Sequence, residues 1–369
     1  MSRVFLDIDL ALLRRNFERI AARVAPCSVM AVLKANAYGL GVRPIAEALA
    51  EAGVSRFGVA ELNEGVELRS VGLPTQILGA ILPDEIEQAV QADLTLPISD
   101  LDMATRISRA AAQQNKKVRA HFLVDTGMGR LGIPVRDAHA TILSCMSLGG
   151  IAFEGIYSHF PMAYSGDEPY TRSQIQSFKE LLGRLAADGV TFNIIHMANS
   201  DSINNVPMGF AAPFNEVRTG INLYGAFDTR GQRALELESV LTLRTSLAAV
   251  RMLPAGMSIG YGCTHTLDHE TRVGTIPAGY ADGLPLALSN SGYVLVHGQA
   301  CAVLGRVSMD YTTIDLTSVP EAVVGDDVVC LGTQQDQNLR VEDWVHIKGT
   351  HSYDIICSIG NRVERRYRN

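Results

Sequence analysis

The sequence predicts an α/β fold in which a (β/α)8 barrel of the TIM type is followed by a mainly-β C-terminal domain. Eight short apolar runs alternate with amphipathic stretches between residues 29 and 225, as expected for eight strand–helix units. A doubly wound sheet would usually have fewer strands and a GxGxxG motif after the first, which this chain lacks. After about residue 226, β-like runs broken by Gly, Asn and Pro replace the helical periodicity.

The elements of the predicted barrel follow one another in regular order. A helix begins at the capping residue Asp9, before the first barrel strand. The predicted strands are residues 29–35, 56–60, 75–80, 94–99, 118–125, 152–160, 192–199 and 216–225. Helical patterns at 43–53, 61–72 and 171–189 lie between them, and the last one ends at Gly189. We therefore expect the barrel to span residues 12–232.

Two further segments complete the predicted organisation. Residues 1–11 contain a strand that has no barrel partner, and we expect it to join the β domain. Residues 233–369 form that β-rich domain, where helical periodicity nearly disappears until the final stretch HSYDIICSIGNRVERRY.

Composition and charge argue against several classes of protein. The 369 residues are 47% hydrophobic and only 19% charged, which indicates a well-packed globular protein. A net charge of −7 argues against nucleic acid or an anionic membrane as a partner. No segment has the roughly 18–20 apolar residues of a membrane span. The acidic N-terminus opposes a signal peptide, so we expect a cytoplasmic protein. Six scattered cysteines without a CxxC pair indicate reduced thiols and no metal site.

The segment AVLKANAYGLG, residues 31–41, carries the strongest chemical signal in the chain. Lys34 ends a buried strand and enters a short turn that contains Gly39 and Gly41. Burial disfavours the charged form of an amine and lowers its pKa, which suits a lysine that forms a Schiff base with an aldehyde. For a lone lysine the default interpretation is a strand-edge residue whose amine is solvated.

Other polar residues fall at the C-terminal ends of the predicted strands, where enzymes of this fold build their sites. They are Arg130, His159, His196, Asn199, Ser200, Arg218, Thr219 and Gly220. A lone histidine such as His196 is as readily a core residue as a functional one. Ser200 opens a predicted helix and Gly220 allows close approach to the backbone, so both can bind a phosphate together with the Tyr38 hydroxyl.

These motifs closely resemble those of bacterial alanine racemases. Besides AVLKANAYG, the matching motifs are VRTG, IGYG, GYADG, GRVSMD and NRVERRY, in the family's order along the chain. The resemblance implies that Lys34 carries pyridoxal 5'-phosphate (PLP). The implied cofactor-binding residues are Lys34, Tyr38, His159, Asn199, Ser200, Arg218, Gly220 and Ile221, of which Tyr38, Ser200, Gly220 and Ile221 hold the phosphate.

Arg218 carries the mechanistic implication of this resemblance. In the family, this arginine contacts the pyridine nitrogen of PLP. An arginine keeps its own proton at physiological pH, so the nitrogen stays largely unprotonated. The cofactor is then a weaker electron sink, which disfavours transamination and leaves removal and return of the Cα proton.

Racemisation requires a base on each face of the substrate. The resemblance implies that Lys34 and Tyr261 are these two bases. It also implies that His159 and Arg218 form a relay with the tyrosine. Family members supply this tyrosine from the partner subunit, so we expect a homodimer with shared active sites. The implied substrate-binding residues are Arg130, Met309 and Asp310. The implied reaction interconverts L-alanine and D-alanine and supplies D-alanine for peptidoglycan.

Three leucines depart from the family pattern: Leu40 replaces a usual His, Leu286 a usual Arg and Leu123 a usual Lys. In most of the family that lysine is carbamylated and its negative charge steadies the arginine equivalent to Arg130. A buried guanidinium without an anion is costly, so we expect chloride or a carboxylate such as Asp310 beside Arg130 instead.

Three alternative functions remain at this stage. The first is a racemase for serine or a wider range of amino acids on the same scaffold. A decarboxylase of this architecture would have a glutamate in place of Arg218. A PLP-carrier protein would have a lone barrel and would lack Tyr261.

Overall fold

The structure, a computed structural model, describes residues 2–165, 167–228 and 230–369. The strands are β1 (Phe5–Asp9), β2 (Ser28–Val32), β3 (Arg56–Val59), β4 (Thr75–Ile77), β5 (Leu96–Ile98), β6 (Val118–Asp125), β7 (Ile133–Pro134), β8 (Ile151–Tyr157), β9 (Ile194–His196), β10 (Glu216–Thr219), β11 (Leu241–Ser246), β12 (Ala249–Leu253), β13 (Ser258–Ile259), β14 (His265–Thr266), β15 (Thr271–Ile276), β16 (Tyr293–Val296), β17 (Gln299–Leu304), β18 (Thr312–Asp315), β19 (Asp327–Gln334), β20 (Gln337–Leu339) and β21 (Glu364–Arg368). The helical segments are α1 (Leu10–Val24), α2 (Lys34–Tyr38), α3 (Val42–Glu51), α4 (Leu62–Leu68), α5 (Ile86–Gln91), α6 (Leu101–Gln113), α7 (Val135–Cys145), α8 (Pro169–Ala187), α9 (Ser200–Asn205), α10 (Val341–Lys348) and α11 (Ser352–Cys357).

Eight parallel strands form the predicted barrel, in the spatial order β4-β3-β2-β10-β9-β8-β6-β5. An isolated parallel bridge between Gln76 and Thr95 joins the two edges, so the barrel is nearly closed. Each predicted barrel strand overlaps one of these eight strands, which confirms the fold class. Some predicted strands were too long, because the chain turns at Gly220 and forms a 3-10 turn over Ile221–Tyr224.

The helices around the barrel begin and end where the sequence signals lie. The Asp9 carboxylate accepts a hydrogen bond from the Leu12 N–H at 2.7 Å and caps α1 as predicted. Helix α8 ends just before Gly189, whose φ of 79° favours glycine. Helices α3 and α4 match the predicted stretches 43–53 and 61–72.

The second large sheet has the order β12-β15-β18-β17-β16-β19-β11-β1-β21, and β20 pairs with β19. Strand β1 lies between β11, to which it is antiparallel, and β21, to which it is parallel. The first and last strands of the chain are therefore neighbours in this sheet. The domain limits at residues 12–232 and 233–369 stay a prediction.

Two elements near the C-terminus differ from the prediction. Helix α10 was not predicted, and the segment ending in RVERRY, expected to be helical, contains β21. Residues 364–368 form a strand because β1, more than 350 positions away, offers its edge. Propensity within the segment could not reveal that partner.

All six cysteines are free thiols. Among the described residues, no helix has the length and apolar character needed to cross a membrane. The same residues contain no group of three or more His, Cys, Asp or Glu side chains placed to hold a metal ion.

Candidate active site

A cavity of about 290 Å³ opens at the C-terminal ends of the barrel strands. Its lining includes Lys34, Tyr38, Leu123, Arg130, Tyr157, His159, Asn199, Ser200, Arg218, Gly220 and Tyr353. The structure thus brings together most of the residues that the sequence predicted. Ile221 is fully buried directly after Gly220 and does not line the cavity.

Lys34 begins a left-handed helical turn, α2, directly after the first barrel strand. Ala35, Asn36 and Ala37 have φ values of 54°, 54° and 53°, and Tyr38 has a φ of 61°. Each L-residue in this conformation costs about 1–2 kcal/mol, so the turn persists only because surrounding contacts hold it. Its geometry places the Lys34 and Tyr38 side chains in the same cavity.

Lys34 is exposed to the open cavity, yet the surrounding protein partly desolvates its amine. This desolvation lowers the pKa of Lys34 below its ordinary value, and the positive charge of Arg130 lowers it further. A lowered pKa increases the share of neutral amine near neutral pH. Lys34 therefore has the setting of a nucleophile or a base.

Hydroxyl groups converge at one end of the cavity. The Ser200 hydroxyl accepts a hydrogen bond from the Gly220 N–H at 3.1 Å and also interacts with Tyr353. A Cβ atom at Gly220 would lie 2.1 Å from the Tyr38 hydroxyl, so only glycine fits. The side chain of Asn199 caps α9 by accepting from the Ser202 N–H at 3.0 Å. Hydroxyls and backbone amides arranged in this way can bind a phosphate.

The buried guanidinium of Arg218 also lines the cavity and binds imidazoles and carbonyls. It is 2.6 Å from His196 Nδ1 and 3.2 Å from His159 Nδ1, and it donates to the Ser158 carbonyl at 2.7 Å. No carboxylate among the described residues forms an ion pair with it. Burial lowers the pKa of Arg218 only to about 10, so it remains a donor near neutral pH.

Both histidine partners of Arg218 are neutral at neutral pH. Burial, with the Arg218 charge as the second cause, lowers the pKa of His159 to about 3. The same two causes hold the pKa of His196 well below its ordinary value. Neutral imidazoles can accept from Arg218, which leaves the remaining donors of the guanidinium to face the cavity.

A buried polar row, which the sequence reasoning missed, continues from Arg218 through the barrel interior. His196 Nε2 lies 3.2 Å from His121 Nδ1, and His121 Nε2 lies 3.3 Å from a Glu154 oxygen. Because Arg218 can only donate, His196 and His121 each accept at Nδ1 and donate at Nε2, ending on the carboxylate. Charged and imidazole side chains inside otherwise apolar strands were the signal that could have revealed this row.

Beyond Glu154, two further charged residues lie near the opposite end of the barrel. Arg56 Nη1 is 3.5 Å from Glu154, and Arg56 Nε is 3.0 Å from Glu216, which is buried. Tyr353 was also missed, because HSYDII carries no catalytic motif and its ring reaches the site only by packing 5.8 Å from that of Tyr38.

Besides Ile221, three predicted site residues of the C-terminal domain do not line the cavity of the described chain. Tyr261 is 72% exposed and Met309 is 52% exposed, both in the C-terminal domain. Asp310 forms an ion pair with Arg362 at 2.7 Å. Their participation in a site stays a prediction.

The three leucines that differ from the family pattern lie in different surroundings. Leu40 is fully buried, Leu286 is exposed, and Leu123 is buried against the cavity beside Arg130. Arg130 is exposed in the single chain and has no hydrogen bond or ion pair among the described residues. The expectation of a buried, compensated guanidinium does not hold for one chain, because Arg130 is open to solvent and Asp310 pairs with Arg362.

Comparison with known proteins identifies the family. The models of the N-terminal and C-terminal domains of alanine racemase match residues 8–228 and 240–367. Alanine racemase of Desulforamulus reducens is 38% identical over 370 residues, which cover 99% of this chain and 98% of the relative. The crystal structure of alanine racemase from Streptomyces lavendulae has a TM-score of 0.92 at 33% identity and covers 100% of this chain and 98% of its own. That from Bartonella henselae, with covalently bound pyridoxal phosphate, has a TM-score of 0.89 at 28% identity, with 100% of both chains covered. With both domains matched and the predicted barrel-mouth residues assembled in one cavity, this chain belongs to the alanine racemase family of isomerases.

Proposed function

We propose that this chain interconverts L-alanine and D-alanine with PLP, using Lys34 as one base and Tyr261 of a second subunit as the other. Membership of the alanine racemase family supports the reaction. The observation that carries the proposal is the cavity itself, where a lysine with a lowered pKa faces a buried arginine whose imidazole partners are neutral. Lys34 can exchange a proton with the substrate, and Arg218 would leave the pyridine nitrogen of PLP unprotonated, so the cofactor would be a weak electron sink.

The residues of the cavity fit PLP. Tyr38, Ser200 and Tyr353 would offer hydroxyls to its phosphate, and Gly220 leaves the space that a Cβ would fill. Arg218 would offer a guanidinium donor to its pyridine nitrogen. When bound, PLP withdraws electrons from the substrate carbon that loses its proton.

Arg218 limits that withdrawal. Its proton stays on the guanidinium near neutral pH, so Arg218 would donate a hydrogen bond to the pyridine nitrogen and keep its own proton. His196 accepts from Arg218 at 2.6 Å and fixes the guanidinium in place. This arrangement favours return of the Cα proton over transamination.

Proton exchange on two faces requires two bases, and of the two bases in this proposal Lys34 lines the cavity of the described chain whereas Tyr261 does not. Tyr261, Met309 and the exposed Tyr311 lie on the surface of the C-terminal domain. Met309 and Tyr311 are two positions apart, and exposed aromatic and apolar side chains of this kind are typical of an interaction surface. They support a homodimer in which the tyrosine of each subunit serves the other's cavity, with His159 and Arg218 near its hydroxyl.

Mixing two inactive variants tests this arrangement. Lys34→Ala subunits lack one base and Tyr261→Ala subunits lack the other. After random subunit exchange, half of the dimers are hybrids with one intact site each, so about a quarter of the wild-type activity should return. Self-exchange of each variant is the control. No recovery despite verified exchange would show that each site is built within one chain.

A broader racemase is the second candidate, because Leu123 replaces a family lysine in the cavity wall. Rates of D-amino-acid formation from alanine, serine, arginine and lysine separate the two. We also propose that the D-alanine serves peptidoglycan synthesis and that the protein works in the cytoplasm, where its six free thiols would stay reduced. Cell fractionation tests the compartment.

A further inference from the structure

The left-handed turn that carries Lys34 has support from outside the barrel. Two residues of the last strand, β21, donate hydrogen bonds to the two backbone carbonyl groups that directly follow this turn. Arg365 Nε donates to the Gly39 carbonyl at 3.0 Å, and the Tyr367 hydroxyl donates to the Leu40 carbonyl at 2.8 Å. Arg365 and Tyr367 are two positions apart on a strand, so their side chains project from the same face.

The supporting strand is itself firmly placed. β21 pairs in parallel with β1 from Phe5 to Asp9. The other donors of Arg365 bind the carbonyls of Gly360 and Val363, each at 2.7 Å, and that of Ile359 at 2.9 Å. The guanidinium therefore joins the lysine turn to the loop before β21.

The backbone that follows the turn also packs directly against Tyr367. Gly41 has a φ of 98°, and a Cβ atom there would lie 1.8 Å from the Tyr367 hydroxyl. Within the turn, Asn36 Oδ1 accepts from the Val42 N–H at 2.7 Å. From the barrel side, the Glu64 carboxylate accepts from the N–H groups of Ala35 and Ala60 and ties the start of the turn to the next strand.

We propose that Arg365 and Tyr367 are positioning residues that hold the lysine turn in its left-handed form, so that cofactor affinity depends on the last strand. Neither residue lines the cavity, and both act through backbone carbonyls. If the turn relaxed, Lys34 and Tyr38 would no longer face the cavity together. The inference rests on the proposed function, in which Lys34 and Tyr38 bind PLP.

The variant Tyr367→Phe removes one hydroxyl and keeps the ring, and Tyr293→Phe is its matched control. Tyr293 is half-buried in the same domain but packs against Leu295, Val329 and Leu339, away from the turn. PLP dissociation is measured on each holoenzyme by dialysis against falling PLP concentrations, with visible absorbance reporting the bound cofactor. Thermal unfolding is measured with and without PLP.

Tyr367→Phe should bind PLP about fivefold more weakly than wild type, since one neutral hydrogen bond that favours the competent turn is lost. Its thermal stabilisation by PLP should shrink accordingly, while Tyr293→Phe should match wild type. Equal PLP affinity in Tyr367→Phe and wild type, even with lowered stability, would show a structural role only and overturn the inference. Arg365→Lys, which keeps the charge but loses the fork of donors, should weaken PLP binding at least as much. Absence of PLP from wild type would instead overturn the proposed function.

Discussion

Replacing Glu154 by Gln tests whether the buried polar row depends on a charged residue at its far end. Glu154 accepts from His121 Nε2 at 3.3 Å and lies 3.5 Å from Arg56 Nη1, and 26% of its side chain is exposed. A glutamine oxygen can still accept from His121, and Arg56 keeps Glu216 at 3.0 Å. The loss is therefore that of one charge-assisted contact, about 1–2 kcal/mol of unfolding free energy near neutral pH.

The difference in unfolding free energy between wild type and Glu154→Gln should depend on pH in a definite direction. The hydrogen bond from His121 is the main cause that lowers the pKa of Glu154 below its ordinary value of 4.5. A carboxylate with a lowered folded-state pKa stabilises the fold fully above its unfolded pKa. That stabilisation disappears as the pH falls through the folded-state pKa. The stability difference between wild type and Glu154→Gln should therefore be largest near neutral pH and shrink in acid.

Urea unfolding followed by far-ultraviolet circular dichroism, at about pH 7 and about pH 4, measures this difference. Glu364→Gln is the control, because Glu364 forms an exposed ion pair with Arg366 and should change stability by no more than about 0.5 kcal/mol. Equal stability of Glu154→Gln and wild type at neutral pH would refute the reasoning, as would a difference that grows as the pH falls.

Three further predictions concern the cavity. Borohydride should fix PLP to a single peptide that contains Lys34, the amine with the lowered pKa in the cavity, and peptide mapping that finds the label elsewhere would disprove the assignment. Gly220→Ala should weaken PLP binding at least tenfold, because its Cβ would lie 2.1 Å from the Tyr38 hydroxyl; Gly183→Ala, with open space around its Cβ, is the control for the same titration. If the proposed dimer buries Arg130, which is exposed in the single chain and has no anionic partner among the described residues, chloride should alter the visible absorbance of the holoenzyme in a saturable way. An unchanged response in Arg130→Met would locate the effect elsewhere.

The sequence by itself determined the barrel and most of its mouth. Eight apolar runs separated by amphipathic stretches can bury their strands only by forming a parallel sheet covered with helices. In such a barrel all C-terminal strand ends lie on one rim, so Lys34, Ser200 and Arg218 had to come together although they are distant in the chain. Local patterns were sufficient because this part of the site follows from strand order.

Only the tertiary structure decided the features that depend on distant partners. The left-handed conformation of α2 opposes the preference of its own residues and exists because Glu64, Arg365 and Tyr367 hold it. Likewise, β21 is a strand because β1 pairs with it, and His121 becomes part of the Arg218 row because β6 and β9 place it against His196. Hydrogen bonds between residues distant in the chain outweigh local propensity, and a linear pattern of residue types does not specify which of them meet.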